Sequence, residues 1–501
     1  MTTLPRSDAA TPDAARAATS PGAARDATPD AARDDARTTP PATAPNPWLM
    51  FVVYLCGLLL GGLYVGMAAP ARTVVQESFG IDSSTGIWMI NIYTLLYASL
   101  IPVIGRVADM RGRNRIYTVC LGVFALGSVF SGLSQIAGAF PLLLVGRALE
   151  AAGAAGMIPV ANAEIGVSFP EDKRGTALGI AAATSGLANV MGSGVGSLVL
   201  GLTGTERWGL MFWGAVPVCL LVMVAARVIL PPSTVDPESA HGTIDLAGAV
   251  VFVAFVVLVL LGLKNVDFFD VVSSIVSPWT WVPLVLAVLC LPLFGIIERR
   301  AQSPIFHLEY FGNRGVVVTM VVSFFIGCSI ISMTLIPECA EYILGLEAGS
   351  GGFYMMSVGV FGIVGPIVGG KIIDRVGPKP TLMCGLAAMA AGYLFLALVG
   401  APVANAALLV AGLCLVGLGM GFAMGAPTNY MVLESTTQDQ ATSAVATIAL
   451  VRQLGTSIAP TVFVGFTSAG LGLLGYQMML SAVAVCGLAG LVAAAFYRTG
   501  E

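Results

Sequence analysis

From Pro47 onward the chain is a succession of apolar runs separated by short polar breaks, each run long enough to cross about 30 Å of hydrocarbon as a helix. The runs predict helices over 48–70, 85–104, 116–136, 139–164, 176–202, 208–230, 245–264, 279–297, 315–343, 352–370, 380–400, 404–431, 441–468 and 473–497. At that depth a helix is one of the few ways to satisfy backbone polar groups, so fourteen such runs imply an all-α polytopic membrane protein with 14 transmembrane helices. Residues 1–46 differ. They cycle through Ala, Asp, Thr, Pro and Arg with no run long enough for a secretion signal, and their acidic residues do not suit a transit peptide. They are expected to form a disordered cytoplasmic tail.

Composition agrees with this reading and removes several function classes. Apolar residues make up 56% of the chain and charged residues 10%, against about 25% charged in soluble domains. A formal net charge of −4 offers no basic face to nucleic acid. All nine Cys lie in apolar stretches and none forms a C-x-x-C pair, so they read as packing residues. No metal site and no cofactor is expected. Gly365 to Ile372 imitates a nucleotide-binding loop until Ile372 replaces its Ser or Thr, and it ends an apolar helix rather than a soluble strand. With two His and no nucleophile elbow, the chain is not expected to be an enzyme.

Basic residues fix an orientation, because cytoplasmic loops are enriched in them. Fourteen spans put Arg106, Arg111, Arg113, Arg115, Lys173, Arg174, Arg227, Arg299, Arg300, Arg314, Lys371, Arg375, Lys379, Arg498 and the five tail arginines on one side. Only Arg72, Arg207 and Lys264 fall on the other, and Arg147 and Arg452 lie within spans. Both termini are therefore expected in the cytoplasm, with the protein in the plasma membrane.

Two breaks repeat one another. Gly105, Asp109, Gly112 and Arg113 are matched by Gly370, Asp374, Gly377 and a following Lys379, with Gly, Asp four later and Gly three after that. The offset of eight helices implies two halves with two helices inserted between them. The expected division is a six-helix bundle over 47–230, a linker with two extra helices over 231–314, and a second bundle over 315–501. Gly105 and Gly370 would let helix ends approach a neighbour, while Asp109 and Asp374 could accept from N–H groups at a helix start.

With this repeat, the chain resembles the major facilitator superfamily, whose loop signature has the form G-x-x-x-D-x-x-G-R, and specifically its fourteen-helix drug and proton antiporters. Arg147 with Gly153 and Gly156, Trp208 and Pro217, and Arg452-Gln453-Leu454-Gly455 strengthen the likeness. The resemblance implies two pseudo-symmetric six-helix bundles around a midplane cavity that opens alternately to each side. Two features depart from the antiporter pattern. The fifth helix lacks the usual proline, although Gly192 and Gly196 keep a close-packing spacing. The predicted first helix, Trp48 to Pro70, has no acidic or other charged residue.

Ionisable groups within the spans are few and costly, so they form the short list for mechanism. Arg147 and Glu150 are three apart on one helical face, where they could be a structural ion pair or a proton carrier with its counter-charge. Glu338 and Glu341 follow Pro337 near the outer end of the ninth helix, as an outer-mouth salt bridge or a cation or proton site. Glu164 and Glu434 lie at cytoplasmic helix ends, where loop arginines are the expected partners. Arg452 could hold an anionic group or pair with Glu434. Asn91, Asn429 and Tyr93 lead the polar groups that could orient a substrate.

The expected function is secondary active transport, as proton-coupled export of amphipathic organic compounds by alternating access. A uniporter or symporter for an organic anion, with a bile-acid-like or other carboxylate, is the alternative, and a non-transporting receptor or scaffold a remote one. Expected partners are a small organic substrate, protons and membrane lipids, with the protein a monomer.

Overall fold

The computed structural model describes residues 47–497, except 170, 232–244, 267–269, 302–307, 424–425, 437–440 and 469. The tail expected over 1–46 lies outside the described residues. The first six spans are α1 Pro47–Phe79, α2 Ser83–Arg111, α3 Arg113–Ala137, α4 Phe140–Ser168, α5 Glu171–Thr203 and α6 Gly209–Ile229. Next come α7 Leu246–Lys264 and α8 Pro278–Arg300. The last six are α9 Arg314–Leu344, α10 Gly352–Val376, α11 Pro378–Val403, α12 Ala406–Glu434, α13 Ala441–Ser468 and α14 Leu473–Ala495. Among the described residues thirteen helices are long and apolar enough to cross a membrane, and α10 is a further 25-residue helix whose apolar stretch is Gly352–Phe361.

Packing repeats after eight helices. In the first bundle α1 lies on α5, α3 on α4 and α2 on α4; in the second, α9 lies on α13, α11 on α12 and α10 on α12. The bundles meet along two seams, α5 with α10 and α2 with α13. Helices α7 and α8 pair with each other, and α7 is seated on both α2 and α13. Phe252, Val256 and Leu260 of α7 close that seam against Leu95, with Leu450 and Leu454 beside them.

Lipid tails are as apolar as the side chains they would replace, so close van der Waals contact, rather than escape from water, holds such helices together. Small residues supply that contact at equivalent places in the two bundles. A side-chain carbon on Gly192 would press into the Leu63 carbonyl and stand 3.1 Å from the Cα of Gly66, and one on Gly196 would stand 3.2 Å from the Cα of Met67. The α9–α13 contact is built likewise, with Gly327 against the Arg452 carbonyl and Gly455 against that of Phe324.

In both repeated loops the second glycine is the whole turn. Gly112 ends α2 and starts α3 with φ of 96°, and Gly377 joins α10 to α11 with φ of 89°, a region that side chains disfavour. Gly105 has a different environment from the expected close approach, since a side-chain carbon there would meet open space within 4 Å.

The first helix is longer than the sequence predicts. It runs straight through Pro70 to Phe79 and carries Arg72 into the fold, fully buried. The first span is thus charged after all, with Arg72 buried in it and Glu77 exposed in its last turn, and Arg72 is not one of the loop cations. Proline is tolerated there because neighbouring helices can satisfy the carbonyl it frees; the Pro70 carbonyl accepts the Thr73 hydroxyl at 3.2 Å, one turn removed from that break.

Candidate functional site

Four clusters of polar side chains lie along the molecule. The first is inside the α1–α6 bundle. Arg147 and Glu150, one turn apart on α4, join through Nη1 and Oε2 at 2.5 Å, and both are buried. Arg147 Nε donates to the Met89 carbonyl at 3.2 Å, and its guanidinium carbon sits 4.4 Å from the centre of the Tyr93 ring. Gly127, Ser128 and Ser131 of α3 stand beside the Glu150 carboxylate. The acid and its counter-charge therefore belong to one bundle, behind the surface that faces the other.

The second cluster is where α2 meets α13. Tyr93 stacks on Tyr97 with ring centres 6.1 Å apart and planes 10° from parallel. Beyond Tyr97 stands Arg452 of the opposite bundle. One line of side chains thus leads from Glu150 through Arg147, Tyr93 and Tyr97 to Arg452. Arg452 and Tyr97 keep partial exposure, and among the described residues no acid lies within ion-pair distance of Arg452. Nearer the end of the seam, Asn91 Nδ2 donates to Thr461 Oγ1 at 2.7 Å, so Asn91 ties the bundles together.

The third cluster is at the end where α1 finishes and α9 finishes. Arg72 forms an ion pair with Glu338, which also accepts the Ser83 hydroxyl at 2.9 Å. Although Glu341 lies one turn on, it is engaged differently: Oε1 accepts the backbone N–H groups of Gly349 and Gly351, both at 2.9 Å, with Thr73 alongside. A shallow cavity of about 550 Å³ opens beside them, lined by Gln76, Glu77, Tyr342 and Tyr476 among others. Just outside α2, burial opposes the charge on Asp82, but the Ser84 and Thr85 hydroxyls, its own backbone N–H and Lys264 together hold the carboxyl below its usual range.

The fourth cluster is at the opposite end, which carries most of the loop cations. Arg113 Nε lies 2.9 Å from Asp109 and its Nη1 lies 3.6 Å from Glu164 of α4. Asp109 is thus taken by an arginine rather than by a helix start. The surroundings of Gly370 and the Asp374 side chain lie outside those described. Asn429 is half-buried near the same end of α12, apart from Asn91, and Glu434 accepts the Tyr497 hydroxyl at 3.2 Å instead of pairing with Arg452. Among the described residues no group of three or more His, Cys, Asp or Glu could hold a metal ion.

Arg72, Ser83 and Tyr97 are among the members of these clusters that sequence reasoning passes over. Tyr97 carried a signal, since it lies four residues after Tyr93 on one helical face. Arg72 and Ser83 carried none beyond proximity to a predicted loop.

An all-helical membrane protein of two eight-apart repeats, with its charges gathered inside one bundle, at a seam and at the two ends, is a transporter in architecture. The chain belongs to the Major Facilitator Superfamily, whose model matches residues 50–460. It is 29% identical over 430 residues to the uncharacterised MFS-type transporter YfiU of Bacillus subtilis, covering 85% of this chain and 81% of that one. With multidrug resistance protein 3 of the same organism it shares 26% over 437 residues, covering 84% and 80%. The solved D-xylose-proton symporter has the same fold, with a TM-score of 0.64 at 16% identity over 90% of this chain and 97% of that one. The protein is accordingly an integral membrane secondary transporter for small organic compounds and not an enzyme.

Proposed function

We propose that the protein exports amphipathic organic compounds in exchange for protons, working as a monomer in the plasma membrane with its cation-rich end and both termini in the cytoplasm. The observation that carries this reading is the Glu150–Arg147 pair, buried in one bundle yet linked by Tyr93 and Tyr97 to the other. The positive-inside rule supports the orientation, and the likeness to multidrug resistance protein 3 supports the direction.

A carboxylate in this setting has one way to lose its charge, which is to take a proton. Doing so weakens its hold on Arg147, whose guanidinium is then free to move against the tyrosine pair and alter the seam. Release of the proton restores the ion pair and the original seam. Glu338 and Glu341 stand where a proton arriving from outside meets the protein first, and the Asp109–Arg113–Glu164 cluster latches the cytoplasmic end through the repeated loop motif.

The test is transport in proteoliposomes with and without an imposed pH gradient. Wild-type protein should accumulate a confirmed substrate only with the gradient. The E150Q variant should lose that accumulation, at least tenfold, while still exchanging labelled for unlabelled substrate. Equal accumulation by E150Q overturns the assignment. A uniporter or symporter for an organic anion is the competing reading, favoured by Arg452, which has no ion-pair partner among the described residues, and gradient-independent equilibration by wild-type protein would establish it.

A further inference from the structure

Most of the charges in and beside the spans have a named partner. Arg72 answers Glu338, Arg147 answers Glu150, and Arg113 answers both Asp109 and Glu164. Glu341 rests on two backbone N–H groups, and Glu434 takes a tyrosine hydroxyl. Arg452 is left over. It lies about halfway along α13, its backbone is locked against α9 by the Gly327 contact, and its side chain extends toward the other bundle.

An uncompensated guanidinium at membrane depth costs about 2.5–3.5 kcal/mol on insertion scales, and there is no counter-ion from the described protein to offset it. Among the described residues the site is thus open to an anion brought by a ligand. Its neighbour narrows the chemistry further, because Tyr97 offers an aromatic face, and that face is already backed by Tyr93 and the Arg147 guanidinium. Offset stacking on a ring so supported favours a flat apolar body.

We infer that Arg452 is the docking point for the acidic group of the transported compound, and that the cargo is an amphipathic aromatic organic acid whose ring lies along Tyr97. This deepens the export reading and rests on it for direction alone. A guanidinium binds a carboxylate or sulfonate through paired N–H donors, which a lysine at the same place would meet with one point charge.

The test is equilibrium binding to purified protein in nanodiscs of phosphatidylcholine, where no lipid headgroup carries net negative charge. The probes are 1-naphthaleneacetate and its uncharged relative 1-naphthaleneacetamide. Wild-type protein should bind the acid about tenfold or more tightly than the amide. R452A should erase that preference by weakening the acid alone, and R452K should keep part of it. As a second variant, Y97L should weaken both probes together and leave the preference intact, which keeps the test decisive if R452A does not fold. Equal binding of the two probes, no binding of either, or an unchanged preference in R452A or R452K would overturn the inference. Because no gradient is present, failure of proton coupling in E150Q would leave this result standing.

Discussion

Arg72 gives up all contact with solvent, and the Glu338 carboxylate is what replaces it. Removing one partner of such a pair strands the other charge, at a cost of about 3–5 kcal/mol, whereas replacing both with apolar side chains is often neutral. R72M should therefore lower the melting temperature by several degrees, and the R72M/E338M double variant should recover most of the loss, measured by thermal unfolding in detergent. The pair also joins the ends of α1 and α9, so breaking it should loosen that face. A cysteine placed at the buried Gln76 should react at least several-fold faster with an impermeant maleimide in R72M than in an Arg72 background. Identical labelling rates would mean that the pair holds nothing shut.

Two glycines of one loop motif make opposite demands on their helices. Gly105 faces open space and has ordinary helical geometry, so G105A should leave folding unchanged. Gly112 has φ of 96° and forms the entire α2–α3 turn, so G112A should cost about 1–3 kcal/mol of backbone strain. Gly192 differs again: G192V would drive its Cβ into the Leu63 carbonyl and add two methyl groups to the same contact, and should sharply reduce the yield of folded protein, read by size-exclusion chromatography. The elements themselves were legible in the chain, because an apolar run of membrane length has few other fates, and the i, i+3 spacing of Arg147 and Glu150 is by itself enough to put both on one helical face. Illegible were the end of α1, since Pro70 followed by Arg72 reads as a stop and a loop, and the Arg72–Glu338 pair, whose members are 266 residues apart in sequence and meet only through the packing of two bundles. The separation of Glu338 from Glu341 belongs with these, since the Gly349 and Gly351 amides that capture Glu341 come from a turn with no hydropathy signal.

The molecule as a whole is a charge-moving device if the export and cargo proposals hold together. An anion leaving while a proton enters transfers two charges in the same electrical sense, worth about 4.6 kcal/mol per 100 mV, twice the value for a neutral cargo. Low-potassium proteoliposomes placed in potassium-rich medium with valinomycin, which makes their interior positive, should show uptake of 1-naphthaleneacetate that rises with the imposed potential even at equal pH on both sides; indifference to potential would rule out that stoichiometry. Helices α7 and α8 add an asymmetry that the twofold repeat of the bundles lacks. Seated on α2 and α13, α7 roofs one seam, whereas the α5–α10 seam has no such cover among the described residues. Seen from the bilayer, one seam is therefore covered by a further helix, while the other is held shut by the two bundles alone, Gly352 against the Ser193 carbonyl and Gly359 against Val190.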